Sequence, residues 1–176
     1  MMETTTHAPD GFEEAFDPLF RRAFLVARRI LGDPTSSEDV AAEALARAYA
    51  HWSRIGDQPW REGWVVRVTT NLAIDVARGN SRFADRPVAV DTASREDTAD
   101  DVVALRVTLA AALQRLPKRQ REAVSLRYLA GLSEAEVADA LQVSVGSVKT
   151  HLHRGVQRLR TRLGDDAERR LEVVAR

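Results

Sequence analysis

Phe12, Phe16, Phe20 and Phe24 recur every four residues, with Leu19, Ala23, Ala27 and Leu31 beside them. That spacing predicts one face of a helix. Gly32-Asp33-Pro34 stops it, and Thr35, Ser36 and Ser37 offer N-caps for the next. Ser36-x-x-Asp39 or Thr35-x-x-Glu38 approximates a capping box. A second helix carries Val40, Ala44, Leu45, Ala48, Tyr49 and Trp52, and Gly56-Asp57-Gln58-Pro59 reads as a loop. A third places Trp60, Trp64, Val65, Val68, Leu72 and Val76 on a broad apolar face and ends at Gly79-Asn80. Arg67, Asn71, Asp75 and Arg78 form its polar stripe. A helix apolar over most of its circumference is deeply buried or awaits a partner. Its tryptophans, with Trp52, suit core packing or stacking on unpaired bases. The stripe suits either a local polar network or base contacts.

Beyond residue 101 the pattern changes. Val102, Leu105, Leu109, Leu113 and Leu116 trace a helix broken by Pro117. Ala123, Val124, Leu126 and Leu129 belong to a second, with Gly131 suited to its C′ position. Ser133-x-x-Glu136 is a capping box, and Leu132 with Val137 a hydrophobic staple. The helix from Glu134 to Leu141 is short, and Ser144 caps another after it. Two capped helices about three residues apart read as a helix-turn-helix. At 100° per residue, Val145, Val148, Leu152, Val156, Leu159 and Leu163 fall in one arc. Ser147, Thr150, Arg154, Gln157, Arg158 and Thr161 fall opposite, with Lys149 and His151 at the edges. From Gln142 to Leu163 there are five Lys or Arg and no acid, where an ordinary solvated helix would mix signs. Hydroxyls near the helix N-terminus suit base edges, and arginines further along suit phosphates.

Net charge over the 176 residues is zero, and this conceals an uneven distribution. Residues 1–80 hold nine basic and twelve acidic side chains, 81–101 hold three and six, and 102–176 hold fourteen and eight. Nine of the ten aromatic residues lie at or before Phe83. The middle stretch, SRFADRPVAVDTASREDTADD, has little periodicity and reads as an acidic linker. The fold class expected is therefore all-α: two small helical domains joined by a flexible linker, the C-terminal one a helix-turn-helix. With no cysteine, disulfides, thiol catalysis and Cys-containing zinc sites are excluded. His151 and His153 point about 200° apart on a helix, a poor arrangement for one ion. No metal or cofactor is expected, and no catalytic constellation is visible. Neither a signal peptide nor a membrane span is apparent, so a cytoplasmic location is expected.

SSEDVAAEALARAY, WREGWVVRVTTNLAIDVAR and LQRLPKRQREAVSLRYLAGLSEAEVADALQVSVGSVKTHLHRGVQRLR resemble the extracytoplasmic-function class of bacterial RNA polymerase sigma factors. The resemblance covers about 12–80 and 104–163, in the family's order. It implies sigma domain 2 at 12–82, the linker at 83–101, sigma domain 4 at 102–163 and a tail at 164–176. It implies binding of core RNA polymerase through clamp and flap, promoter recognition, melting of the −10 element and transcription initiation. Partners implied are core polymerase, promoter DNA and an anti-sigma factor, with no enzymatic activity and no membrane insertion.

Carried over by position, Asp39, Glu43 and Arg47 would meet the clamp. Trp60, Trp64, Asn71, Asp75, Arg78 and Asn80 would serve the −10 element. Ser144, Ser147, Lys149, Thr150, His151, Arg154 and Arg158 would face the −35 element. The chain departs from the family pattern at Ala42, at Gly79-Asn80-Ser81 and at Gln142, which stands where a turn glycine is usual. The alternative is a response-regulator-type helix-turn-helix transcription factor. Such a protein carries an α/β receiver, and residues 1–80 show no alternating βα pattern.

Overall fold

A computed structural model describes residues 10–83 and 99–174, with side chains over 10–79 and 103–174. Among the described residues there are helices and no strand. Helix α1 (Phe12–Leu31) carries Glu13 and Glu14 in its first turn and Arg28 and Arg29 in its last, complementing its dipole. Gly32 ends it at φ 80°, its N–H donating to Arg28 O. The buried face of α1 is Ala15, Leu19, Ala23, Val26, Ala27 and Ile30, with only Phe12 of the four phenylalanines. A four-residue repeat advances about 40° per step on a helix of 3.6 residues per turn. The phenylalanine row therefore spirals off the core, and Phe16 is 39% exposed.

Helix α2 (Pro34–Ala50) is capped by Asp33, whose carboxylate accepts from Thr35 N and Ser36 N, not by the hydroxyls expected. Pro34 takes the first helical position, where its missing N–H costs nothing. A short α3 (Trp52–Ile55) breaks away before α4 (Arg61–Phe83). Helix α4 runs through Gly79-Asn80 instead of ending there. The expected linker lies for the most part outside the described residues.

Helix α5 (Ala99–Gln114) precedes α6 (Lys118–Val124), which runs directly into a π-helical turn, Ser125–Leu129. Then come α7 (Glu134–Leu141), α8 (Val145–Leu163) and α9 (Ala167–Val174). The tail is thus partly helical, with Ala167, Leu171 and Val174 buried. Glu168 ties it down, accepting from Arg160 Nη2 at 2.6 Å and from the Tyr128 hydroxyl at 3.3 Å.

Two buried clusters organise the packing. One holds Phe12, Leu19, Leu45, Trp52, Ile55 and Trp64 inside the N-terminal unit. The other is continuous across both units, joining Val26, Ile30, Val66 and Ile74 to Leu109, Leu113, Leu126, Leu141, Val148 and Leu159. The two units are therefore packed against each other, and the apolar circumference of α4 is covered by α1 and α2 on one side and by α5, α7 and the π turn on the other.

Candidate nucleic-acid interface

The reading head is built from its caps. Ser133 Oγ accepts from Glu136 N at 3.2 Å, and Glu136 Oε2 accepts from Ser133 N at 2.7 Å. The Ser133 N–H, with the Ser133 hydroxyl, favours the ionised form and holds the Glu136 carboxyl below its ordinary value. Leu132 and Val137, the staple pair, are both buried. The turn depends on Gln142 at φ 54°, the one non-glycine residue described in the left-handed region. That conformation costs a residue with a Cβ of order 1–2 kcal/mol. A bond from Gln142 Nε2 to Asp139 O at 2.6 Å offsets part of it. Ser144 then caps α8, accepting from Ser147 N at 3.2 Å.

Gly155 lets α8 sit close on α6. A Cβ there would lie 2.7 Å from Val124 Cγ2. With Val148, Leu152, Val156 and Leu159 buried, the opposite face is turned outward. Of the −35 candidates, Ser144, Lys149, Thr150, Arg154 and Arg158 are exposed, and Ser147 and His151 are half-buried. His153, left out of the candidate set, is exposed together with Gln157. The helix angle of His153, well away from the buried arc, is the signal that marks it.

Several of these groups are engaged locally. Ser144 and Ser147 share a hydroxyl–hydroxyl bond of 2.9 Å, and Thr150 Oγ1 donates to Gly146 O at 3.0 Å. Lys149 Nζ stands 3.8 Å from Glu134 Oε2, an exposed pair of small worth. The groups left free to meet a duplex are Arg154, Arg158, His153 and Gln157, a positive and hydrogen-bonding face.

The clamp candidates Asp39, Glu43 and Arg47 all lie exposed on α2, where Arg47 Nε donates to Glu43 Oε1 at 2.8 Å. The −10 candidates are placed differently. Trp64 is 8% exposed, with its ring centroid 5.6 Å from that of His51, a core position rather than an open stacking face. Trp60 is half-buried in a cleft shared with Glu136, Asp139 and Ala140 of α7. Asp75 accepts from Gln114 Nε2 of α5. Arg78 Nε is buried with no hydrogen-bond partner among the described residues, and Asn71 is half-buried. The side chain of Asn80 lies outside those described. Arg67, from the same stripe, donates to Ala140 O at 3.2 Å. Burial lowers its guanidinium pKa, with Glu122 opposing that shift. The structure thus gathers the −35 set along α8 and its cap, while of the −10 set Trp60 and Asp75 meet the C-terminal unit and Trp64 lies in the core of the N-terminal one. The described residues contain no cluster of three or more His, Asp or Glu able to hold a metal. No helix among them is long and apolar enough to cross a membrane.

Among the described residues, an all-helical architecture with a capped helix-turn-helix and a basic outward face is that of a DNA-binding protein. Residues 16–83 match the family model described as Sigma-70 region 2, and 106–159 match Sigma-70, region 4. The chain is 30% identical over 171 residues to the ECF RNA polymerase sigma factor SigW of Bacillus subtilis, covering 89% of this chain and 90% of that one. It is 35% identical over 137 residues to the RNA polymerase sigma-E factor of Streptomyces coelicolor, covering 78% and 77%. The structure of CnrH in complex with the cytosolic domain of CnrY is similar at a TM-score of 0.53 and 26% identity, covering 88% and 90%. The chain belongs to the extracytoplasmic-function RNA polymerase sigma factors.

Proposed function

We propose that this chain binds core RNA polymerase, directs it to promoters and melts the −10 element, acting by binding rather than as an enzyme. The observation that carries this is α8: a capped helix, acid-free from Gln142 to Leu163, with arginines on its open face. Duplex phosphates supply the main attraction for such a face, and its N-terminal half suits base edges. In this reading Ser144, Ser147, Lys149, Thr150, His151, Arg154 and Arg158 serve the −35 element. Asp39, Glu43 and Arg47 serve the clamp. Trp60, Trp64, Asn71, Asp75, Arg78 and Asn80 serve the separated −10 strand. Residues 12–82 and 102–163 form the two working domains, joined by 83–101 and followed by the tail 164–176. The chain works in the cytoplasm, where core polymerase is, and an anti-sigma partner restrains it.

The test is co-elution with purified core polymerase on gel filtration. We expect a stoichiometric complex, weakened by the charge reversal Asp39→Arg/Glu43→Arg. A chain that never shifts to the polymerase fraction, at low salt and in excess, contradicts the reading.

A further inference from the structure

Helix α8 carries arginines at 154, 158, 160 and 162, and among the described residues only Arg160 of these four is in an ion pair. Its place on the helix matters. His153, Gln157 and Arg160 follow one another at spacings of four and three, which puts them in one stripe. His153 and Gln157 belong to the face left free for a duplex, so Arg160 extends that face toward the helix C-terminus. Its guanidinium is already engaged, however, with Nη2 donating to Glu168 Oε2 of α9 at 2.6 Å. The two side chains are 42% and 39% exposed, and an exposed pair between freely moving side chains contributes little. Here the carboxylate is held in place. Gly164, at φ 91°, turns the chain back after α8, and Ala167, Leu171 and Val174 bury the inner face of α9. The Tyr128 hydroxyl donates to Glu168 Oε1 at 3.3 Å, so each carboxylate oxygen has its own donor. Burial, with the Glu168 carboxylate beside it, raises the Tyr128 pKa and keeps that hydroxyl protonated as a donor.

We propose that the docked tail holds Arg160 in reserve: Glu168 occupies a guanidinium that would otherwise take a duplex phosphate, and so lowers the duplex affinity of α8. This rests on the reading of α8 as a duplex-binding helix. A phosphate gains Arg160 only when Glu168 gives it up. The carboxylate is then left unpaired beside the DNA backbone, where like charges repel. Arg154 and Arg158 carry no such restraint, so the docked chain binds with part of its positive face and keeps one contact back. Helix α9 is eight residues long, too short to persist as a helix by itself. Whatever lifts it from the C-terminal unit frees Arg160, which makes the tail a means of adjusting duplex affinity.

The test is a salt titration of binding to a random-sequence duplex, using the full-length chain. Glu168→Gln removes the charge and keeps an acceptor for Tyr128. It should steepen the slope of log K against log salt by about 0.9, one added phosphate contact. Its advantage over the wild type should then widen about 3.5-fold as salt falls from about 200 mM to about 50 mM. Arg160→Ala alone should leave the slope of the wild type unchanged, because the contact it removes is not being made. In the Glu168→Gln background the same substitution should abolish the gain, and Arg160→Lys should preserve it, since the contact needs the charge rather than the fork. Glu168→Gln that binds like the wild type overturns the masking. A gain that survives Arg160→Ala assigns the effect to relief of repulsion and overturns the role of Arg160. A slope reduced by Arg160→Ala in the wild type shows the arginine already on the duplex and also overturns it. A wild-type chain that binds no duplex at any salt overturns the proposed function and the masking with it, an outcome distinct from a chain that binds and ignores Glu168→Gln.

Discussion

Replacing Gly155 by alanine tests how α8 is seated. In an open helix interior Gly→Ala stabilises by about 1 kcal/mol. At Gly155 the new methyl would lie 2.7 Å from Val124 Cγ2, 3.4 Å from Gln120 O and 3.5 Å from Gln120 Cβ. Val124 is fully buried and β-branched, so its side chain has little freedom to turn aside. Overpacking of this kind costs about 1–3 kcal/mol, which outweighs the propensity gain and leaves a net loss of roughly 0–2 kcal/mol. Gly79, within α4, has no described atom within 4 Å of a built Cβ and serves as the control. Urea denaturation followed by circular dichroism should show Gly79→Ala stabilised by about 1 kcal/mol and Gly155→Ala neutral or destabilised. Val124→Ala should cost about 1–2 kcal/mol less in the Gly155→Ala background than alone, because it removes the obstructing methyl. If Gly155→Ala stabilises as much as Gly79→Ala, and no coupling with Val124 appears, the close crossing of α6 and α8 is refuted.

Leu171→Ala removes a side chain buried between α9 and the rest of the C-terminal unit. It should cost roughly 2–5 kcal/mol by urea denaturation, and a mutant indistinguishable from wild type would mean α9 does not dock. Arg154→Ala should weaken duplex binding and reduce the slope of log K against log salt by about 0.9; an unchanged slope argues against a phosphate contact. Acid should loosen the chain through its caps. The Ser36 hydroxyl, with the N–H groups of Ser36 and Thr35, holds Asp33 below its ordinary value of 3.8, and the Ser133 N–H and hydroxyl hold Glu136 below 4.5, so the unfolded chain takes up the protons first. Stability is then present above those values and is lost as pH falls through them toward the lowered values of the folded chain. Glu136→Gln should flatten part of that slope in urea midpoints measured across the range, and an unchanged slope would show that the capping box does not contribute.

What was legible in the sequence was whatever local chemistry decides. Ser133 with Glu136, Ser144, Gly32 and Gly131 cap their helices as their residue types require. Gln142, standing where a turn glycine is usual, takes the left-handed conformation at φ 54°. The outward arc of α8 follows from its period alone. Other features escaped, some through local competition and most because tertiary contacts decide them. Asp33 outcompetes Thr35 and Ser36 as a cap because Pro34 fixes the first helical position. The π turn at Ser125–Leu129 follows no side-chain pattern, and it buries Ser125 Oγ without a partner among the described residues. Periodicity marked α4 as apolar nearly all round but could not name what covers it. Part of the answer, α5 and α7, needs residues some forty to seventy positions away, as in Gln114 to Asp75 and Arg67 to Ala140. Residue type likewise put Ser147 and Thr150 forward as readers, whereas their hydroxyls are engaged within α8 and its cap.

Run-off transcription with purified core polymerase tests the central claim most directly. Fragments lying upstream of genes induced by overexpressing this chain are supplied as templates. The account predicts discrete transcripts that appear only when the chain is added, and that weaken or vanish with Arg154→Ala. Core polymerase that initiates at none of these fragments with the chain present, while a known sigma factor drives it from a control promoter, would contradict it.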